Sequence, residues 1–340
     1  MIIRPTGNGA HVVGSLLIAA VLALAIAGTA AAAKPGTGGG GGGGGGKGGG
    51  KGGGGQTPAT RVEGAGDSIM QGYNASCTRN TGLFDFLCYG GGDQPQNSFL
   101  DGSNSAVVSL VDRYLTIDGA TTGGKAAAAS GSEMTDPNKN NFAQQAKAIV
   151  ASATQPVKVK VELGGNDLCN RTSIANLYTD AQWTAAVRAG LDELVNKLPD
   201  GSTVLLTSVP RVQDLRAVGL AKESSRIDCD SFWASFDVCR IATDGGTFGG
   251  ADLPTRLAAL AERQKRYNEI LQQEAAAYNA NAVSTGVEVI AEYAGESVAS
   301  AGTYRFQPTE INGGDCFHPS LAGQNKLSEI IWGRLQTLAR

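Results

Sequence analysis

Two histidines occur in the 340 residues, His11 and His318. His11 lies in an N-terminal stretch with the marks of a removable leader, which leaves His318 as the one imidazole of the mature protein. Imidazole is the side chain whose ordinary pKa lies near neutrality, so general-base chemistry, if the chain performs any, runs through it. Asp315 stands three residues earlier in Gly314-Asp315-Cys316-Phe317-His318-Pro319-Ser320, close enough to orient the ring. From these residues alone a surface histidine in a glycine-rich loop is an equal reading.

A base needs a nucleophile. Ser68 follows Gly66-Asp67 at the end of a stretch that reads as a short strand. A serine placed where a strand gives way to a helix can expose its hydroxyl and aim its own N–H at a reacting carbonyl. The spacing is not the Gly-x-Ser-x-Gly elbow, because position 70 is Met. Nor is Gly64-x-Gly66 a dinucleotide fingerprint, because Ile69 occupies the third glycine position. Acyl transfer also needs donors for a developing oxyanion. Asn166, after Gly164-Gly165, can supply a carboxamide, and Gly131 a backbone N–H with no side chain in the way. Each of these is also an ordinary turn residue, so the case rests on their joint occurrence.

These residues need elements to position them. Residues 60–65 read as a strand running into Gly66-Asp67-Ser68. Residues 157–163, Val-Lys-Val-Lys-Val-Glu-Leu, alternate strictly and run into Gly164–Asp167. Residues 125–130 read as a small-residue buried strand ended by Gly131, and 203–209 and 287–290 complete the strand candidates. Helical spacing covers 105–115, 138–152, 180–198, 253–282 and 321–339, while 213–250 is a long irregular excursion. Strands alternating with helices argue for a parallel sheet covered on both faces. Ligands then bind beyond the carboxyl ends of the strands, where the loops bearing Ser68, Gly131 and Asn166 converge.

The N-terminus opens with Arg4, an apolar run and Ala31-x-Ala33. That pattern describes a signal peptide over 1–33, cleaved after Ala33; an uncleaved membrane anchor is the competing reading. Residues 34–56, nearly all glycine, form a disordered linker, without the strand or the Gly-Lys-Ser/Thr of a phosphate-binding loop. Residues 57–340 are long enough for one large domain. They carry 24 Lys and Arg against 31 Asp and Glu, a net charge of −7, which gives no support to a nucleic-acid partner.

Six cysteines, all in this domain and without a Cys-x-x-Cys pair, point to disulfides once export is assumed. Cys77–Cys88 and Cys229–Cys239 are the short-range candidates, leaving Cys169–Cys316.

Gly66-Asp67-Ser68-Ile69, Ala129-Ser130-Gly131, Gly164-Gly165-Asn166-Asp167 and Asp315-Cys316-Phe317-His318-Pro319-Ser320 resemble, in this order, the four blocks of the SGNH (GDSL) hydrolases. The wording around Asn166 and His318 is similar to the phospholipase B-like branch and related secreted bacterial esterases. The resemblance spans about residues 60 to 335. It implies a three-layer α/β/α sandwich with a mostly parallel, flavodoxin-like sheet of five strands. It also implies Ser68 as nucleophile, His318 as base, Asp315 as its orienting acid, and an oxyanion hole from the Ser68 and Gly131 N–H groups and the Asn166 side chain. No cofactor or metal is required.

The family often has Asn-x-Ala before its second-block glycine, where this chain has Lys125-Ala126-Ala127-Ala128-Ala129; Gly123 and Gly124 therefore stand as alternatives to Gly131. Asp67 and Asp167 are expected to hold loops by accepting backbone hydrogen bonds. If the Asn166 and His318 loops meet, Cys169–Cys316 would tie them, the alternative being Cys169 with Cys229 or Cys239. The expected function is a secreted serine hydrolase of carboxylic esters, an esterase or lipase, with small-molecule or lipid esters as partners and transient surface contact left open. Phe99, Phe232, Trp233 and Phe236 are candidates for an acyl groove, with core packing as the other reading. A carbohydrate O-acetyl esterase and a non-catalytic surface-binding module are the alternatives.

Overall fold

The structure, a computed structural model, describes residues 60–81, 88, 92–119, 121–125, 127–292 and 305–338, all within the compact unit Gln56–Arg340. The leader expected over 1–33 and the glycine tract over 34–56 lie outside the described residues. In chain order the elements are β1 (Thr60–Gly66), α1 (Leu110–Asp118), β2 (Thr121–Gly124), α2 (Phe142–Ser152), β3 (Val157–Glu162) and α3 (Gly165–Cys169). There follow α4 (Asp180–Val195), β4 (Thr203–Leu206), α5 (Leu215–Lys222), α6 (Cys229–Phe236), α7 (Arg240–Thr243), α8 (Leu253–Asn279), α9 (Ala282–Thr285), β5 (Glu288–Ala291) and α10 (Leu321–Leu338).

The five strands form one parallel sheet in the order β2-β1-β3-β4-β5, the flavodoxin-like order. Alternation in β3 divides the core. Val157, Val159, Val161 and Leu163 pack with α2, α4 and α8 through Phe142, Trp183, Val187, Leu260 and Tyr267. The opposite face is covered by α1 and α10, with Val62 and Leu205 against Leu110, Tyr114, Leu327 and Ile331. The strict alternation of β3 suggests a strand with one wet face, yet Lys160 and Glu162 are both buried. In a doubly covered parallel sheet both faces are interior, and these two side chains are accordingly unusual.

The helices start where side-chain caps allow. Ser109, Asn141 and Thr179 each close a capping box, with Asp112, Gln144 and Gln182 at the reciprocal position. Each cap satisfies orphan N–H groups and is worth roughly 1 kcal/mol. The helix expected over 105–115 begins only at Leu110 for this reason.

The strand expected over 125–130 is not formed. The strand beside β1 is β2, ending at Gly124, and 127–131 is a turn. Alanine has little preference for strands, and local bonds take the backbone instead: Ala128 N–H donates to Lys125 O, Ser132 N–H to Ala129 O, and Ala129 N–H to Gly66 O. Lys125, at the start, is held by Asp101. Gly131 is thereby delivered to the end of β1 by a loop rather than by a strand.

Candidate active site

Three segments meet at the carboxyl ends of β1 and β3. The first is the turn after β1. Asp67 Oδ1 accepts Ile69 N–H at 2.8 Å, and Tyr73 N–H donates to Ser68 O at 3.0 Å. Ser68 thus starts a series of turns, not the regular helix expected of it, and it is 6% exposed. The second is the turn after β3. Gly164 has φ 116°, in the region that favours glycine, and α3 begins directly behind it. The third, 311–320, folds back on itself: Ile311 and Pro319 form a bridge, and Asn312 N–H donates to His318 O at 2.9 Å.

His318 Nε2 lies 2.8 Å from Ser68 Oγ, and His318 Nδ1 lies 2.9 Å from Asp315 Oδ2. The carboxylate fixes the tautomer: Nδ1 carries the proton and donates to Asp315, so Nε2 accepts from the serine hydroxyl. Asp315 is 4% exposed but surrounded by donors. Oδ1 accepts from Asn312 Nδ2 and from the Phe317 and His318 N–H groups, and Oδ2 from Asn74 Nδ2. Burial pushes its pKa up, but the His318 charge and the hydrogen bonds from His318 and Asn74 outweigh it and hold the carboxyl below its ordinary range. Tyr73 and Phe317 flank the imidazole, each with ring centroids at 4.7 Å.

Asn166 Nδ2 donates to Ser132 O at 2.9 Å and to Asp67 Oδ2 at 3.1 Å. Gly131, just before Ser132, has φ 81° with open space where a Cβ would be. Among the described residues neither the Ser68 N–H nor the Gly131 N–H donates to another group. Gly123 and Gly124 pair with Val62 and Glu63 in the first half of β1, five residues short of Ser68, or about 16 Å along a strand; they are not near this site. Asp167 accepts from the Met134 and Thr135 N–H groups and from the Thr135 hydroxyl, and burial raises its pKa to about 7. Asp67 and Asp167 both hold loops through backbone N–H groups.

The disulfides correct the expected pairing. Cys77–Cys88 forms, but the other two are Cys169–Cys239 and Cys229–Cys316. Cys229 cannot reach Cys239 because α6 lies between them. Its eight residues rise about 12 Å, beyond the Cα separation a disulfide spans. Nor do Cys169 and Cys316 meet: Cys169 packs with Cys239 and Ile241 in the main core, Cys316 with Cys229, Trp233 and Ile311 in a separate cluster. The excursion ties both loops instead, one at each end of α6, and Trp233 Nε1 donates to Asp315 O at 3.1 Å.

An apolar cleft of 40 Å³ for water-sized occupants opens beside Ser68 and Asn166, walled by Ile69, Pro210, Val212, Leu215, Phe306 and Phe317. Phe99 and Trp233 are core residues, and Phe232 and Phe236, in tilted contact with ring centroids at 4.5 Å, do not line this cleft. Sequence reasoning missed Asn74 and Asn312, whose role depends on a contact with Asp315 across the fold, and it passed over Glu162, which reads as a solvent-facing strand residue.

The family profile for GDSL-like lipase/acylhydrolase matches residues 62–331. No curated protein sequence matches significantly. Similar solved structures include a family two carbohydrate esterase from Clostridium thermocellum, 12% identical with a TM-score of 0.40 over 82% of this chain and 63% of that one. Another is an aryl esterase from M. smegmatis, 14% identical with a TM-score of 0.40 over 83% of this chain and 99% of that one.

Proposed function

This chain belongs to the GDSL-like lipase/acylhydrolase family, and we propose that within it the protein is a secreted serine hydrolase of carboxylic esters. The observation that carries the reading is the continuous Ser68–His318–Asp315 relay, with contacts of 2.8 and 2.9 Å. His318 Nε2 takes the Ser68 proton as Oγ attacks the ester carbonyl, and Asp315 stabilises the resulting imidazolium. The Ser68 and Gly131 N–H groups and the Asn166 amide donate to the oxyanion. His318 then protonates the leaving alcohol, and water, deprotonated by the same nitrogen, releases the acid from the acyl-enzyme.

The cleft favours a short acyl group. A single water needs about 10–15 Å³ on this measure, so 40 Å³ takes only a few heavy atoms without rearrangement. Export is supported by three disulfides, a covalent pattern of oxidising compartments, together with the leader-like composition of 1–33. On this reading the glycine tract is a linker and residues 57–340 are the catalytic domain. Rates over p-nitrophenyl esters from acetate to palmitate, beside acetylated xylan, test the substrate class. Rates highest for acetate to butyrate are expected; a maximum at palmitate would overturn the short-acyl assignment, and preference for xylan would make the protein a carbohydrate O-acetyl esterase.

A further inference from the structure

Glu162 ends β3 directly beneath the nucleophile turn. Its register partner on β1 is Gly66, which has no side chain, and Met70 roofs that position: a Cβ on Gly66 would lie 2.8 Å from Met70 Cβ. The Glu162 side chain is therefore sealed in, at 4% exposure, and its carboxyl faces the Asp67 carboxyl closely enough that each shifts the titration of the other. With both groups ionised that contact joins two acceptors, and neither oxygen of Glu162 then finds a side-chain donor. Two buried carboxyls in contact cannot both carry charge at modest cost, so the pair holds a proton.

Its location follows from the partners. Asp67 already accepts from Ile69 N–H and Asn166 Nδ2, which favours its anion. Glu162 is the acid, pushed well above the ordinary carboxylate range by burial and then by the Asp67 charge, which outweigh the Asp67 and Met70 N–H groups that favour its anion. Asp67 itself is raised to about 6, chiefly by burial. The other ionisable groups around the pair are few. His318 lies beyond Asp67 and favours its charged form. Lys160, two residues back on the same face of β3, is turned to Tyr114 Oη at 3.2 Å, and burial followed by the Lys158 charge lowers it to about 7. Glu292, across Thr207 at the end of β5, accepts Ser208 N–H. From α10, Gln324 Nε2 donates to Ile69 O.

Asn166 spends its amide hydrogens on Ser132 O and Asp67 Oδ2, so a substrate oxyanion competes with Asp67 for this donor. We propose that Glu162 is a positioning residue whose shared proton draws charge from Asp67, loosens its claim on the Asn166 amide, and so keeps that amide available to the oxyanion. Losing this proton as pH rises leaves Asp67 with the full claim and lowers turnover. The inference rests on the reading of Ser68 as nucleophile and Asn166 as oxyanion donor.

The test compares wild type with Glu162→Gln, whose amide donates to Asp67 at every pH. We expect wild-type kcat for p-nitrophenyl acetate to fall on an alkaline limb of about tenfold per pH unit, as one ionisation gives, and the limb to be absent in Glu162→Gln. Folding gives a readout free of activity. A carboxyl whose folded pKa is raised binds more protons folded than unfolded, so stability declines as pH rises from the ordinary carboxylate range to the raised pKa. Wild type should lose Tm relative to Glu162→Gln over that interval. Infrared spectra of wild type alone should show a protonated-carboxyl band that persists beyond the ionisation of Asp167, whose pKa is raised to about 7, which serves if the variant does not fold. Parallel pH–rate and pH–Tm profiles for the two proteins, or no band that outlasts the ionisation of Asp167, would overturn the proposal. A protein that shows the band and the Tm difference but hydrolyses no ester would retain the proton-sharing pair and lose the ester-hydrolase reading.

Discussion

The nucleophile and the base are held by different kinds of structure. Ser68 and Asn166 sit at the ends of β1 and β3, neighbours in the sheet, and their turns are fixed from within by buried acids: Asp67 on Ile69 N–H, Asp167 on Met134 and Thr135. His318 sits in an irregular segment, 311–320, that follows no strand and leads into α10. That segment depends on asparagines, Asn74 and Asn312, and on the excursion, through Cys229–Cys316 and the Trp233 indole. Sheet ends supply geometry through main-chain pairing that the whole core maintains. A loop must have its geometry supplied bond by bond, so damage to the excursion should reach the base while sparing the nucleophile side.

The largest expected effect is on the side built into the sheet. Ser68→Ala should cut kcat by about ten-thousand-fold or more with an unchanged Tm, since among the described residues the hydroxyl bonds only His318; initial rates and a melting curve check both halves. Asn166→Ala should cost about a hundred- to a thousandfold in kcat, read in the same assay. Across the site, the double variant Cys229→Ser with Cys316→Ser should destabilise by about 2–5 kcal/mol in denaturant unfolding. Its kcat at a temperature where it remains folded should fall while hydrogen exchange in the β1 turn, at 68–72, stays as in wild type. Equal loosening of both turns would erase the contrast. The smallest effect belongs to Trp233→Phe, which removes the indole donor to Asp315 O and keeps most of the packing: about 1 kcal/mol and a severalfold lower kcat.

The same contrast explains what the amino-acid sequence reveals. Val157–Glu162 announces itself by alternation, and Ser68, Asn166 and His318 stand in short contiguous patterns, so the sheet and the residues brought to its rim are legible from local spacing. Asn74 is 241 positions from Asp315, and no local pattern marks their meeting. The disulfides fail for a related reason. Separation along the chain favours Cys229–Cys239, but a helix between two cysteines carries them apart, and only the packed excursion shows Cys229 facing Cys316 and Cys239 facing Cys169. Ala127–Gly131 misleads in the other direction: its small residues suit a buried strand, while Lys125 held by Asp101 and Ala129 bonded to Gly66 make it a turn. Glu162 hides because alternation is blind to whether the second face of a strand is covered.

The relay from Asp315 through His318 to Ser68 is most directly tested by treating the intact protein with a fluorophosphonate and mapping the adduct by mass spectrometry. A single phosphonyl group on Ser68, lost in His318→Ala, is the predicted result. No adduct, or one on another serine, would contradict the account and leave the scaffold as a non-catalytic binding module.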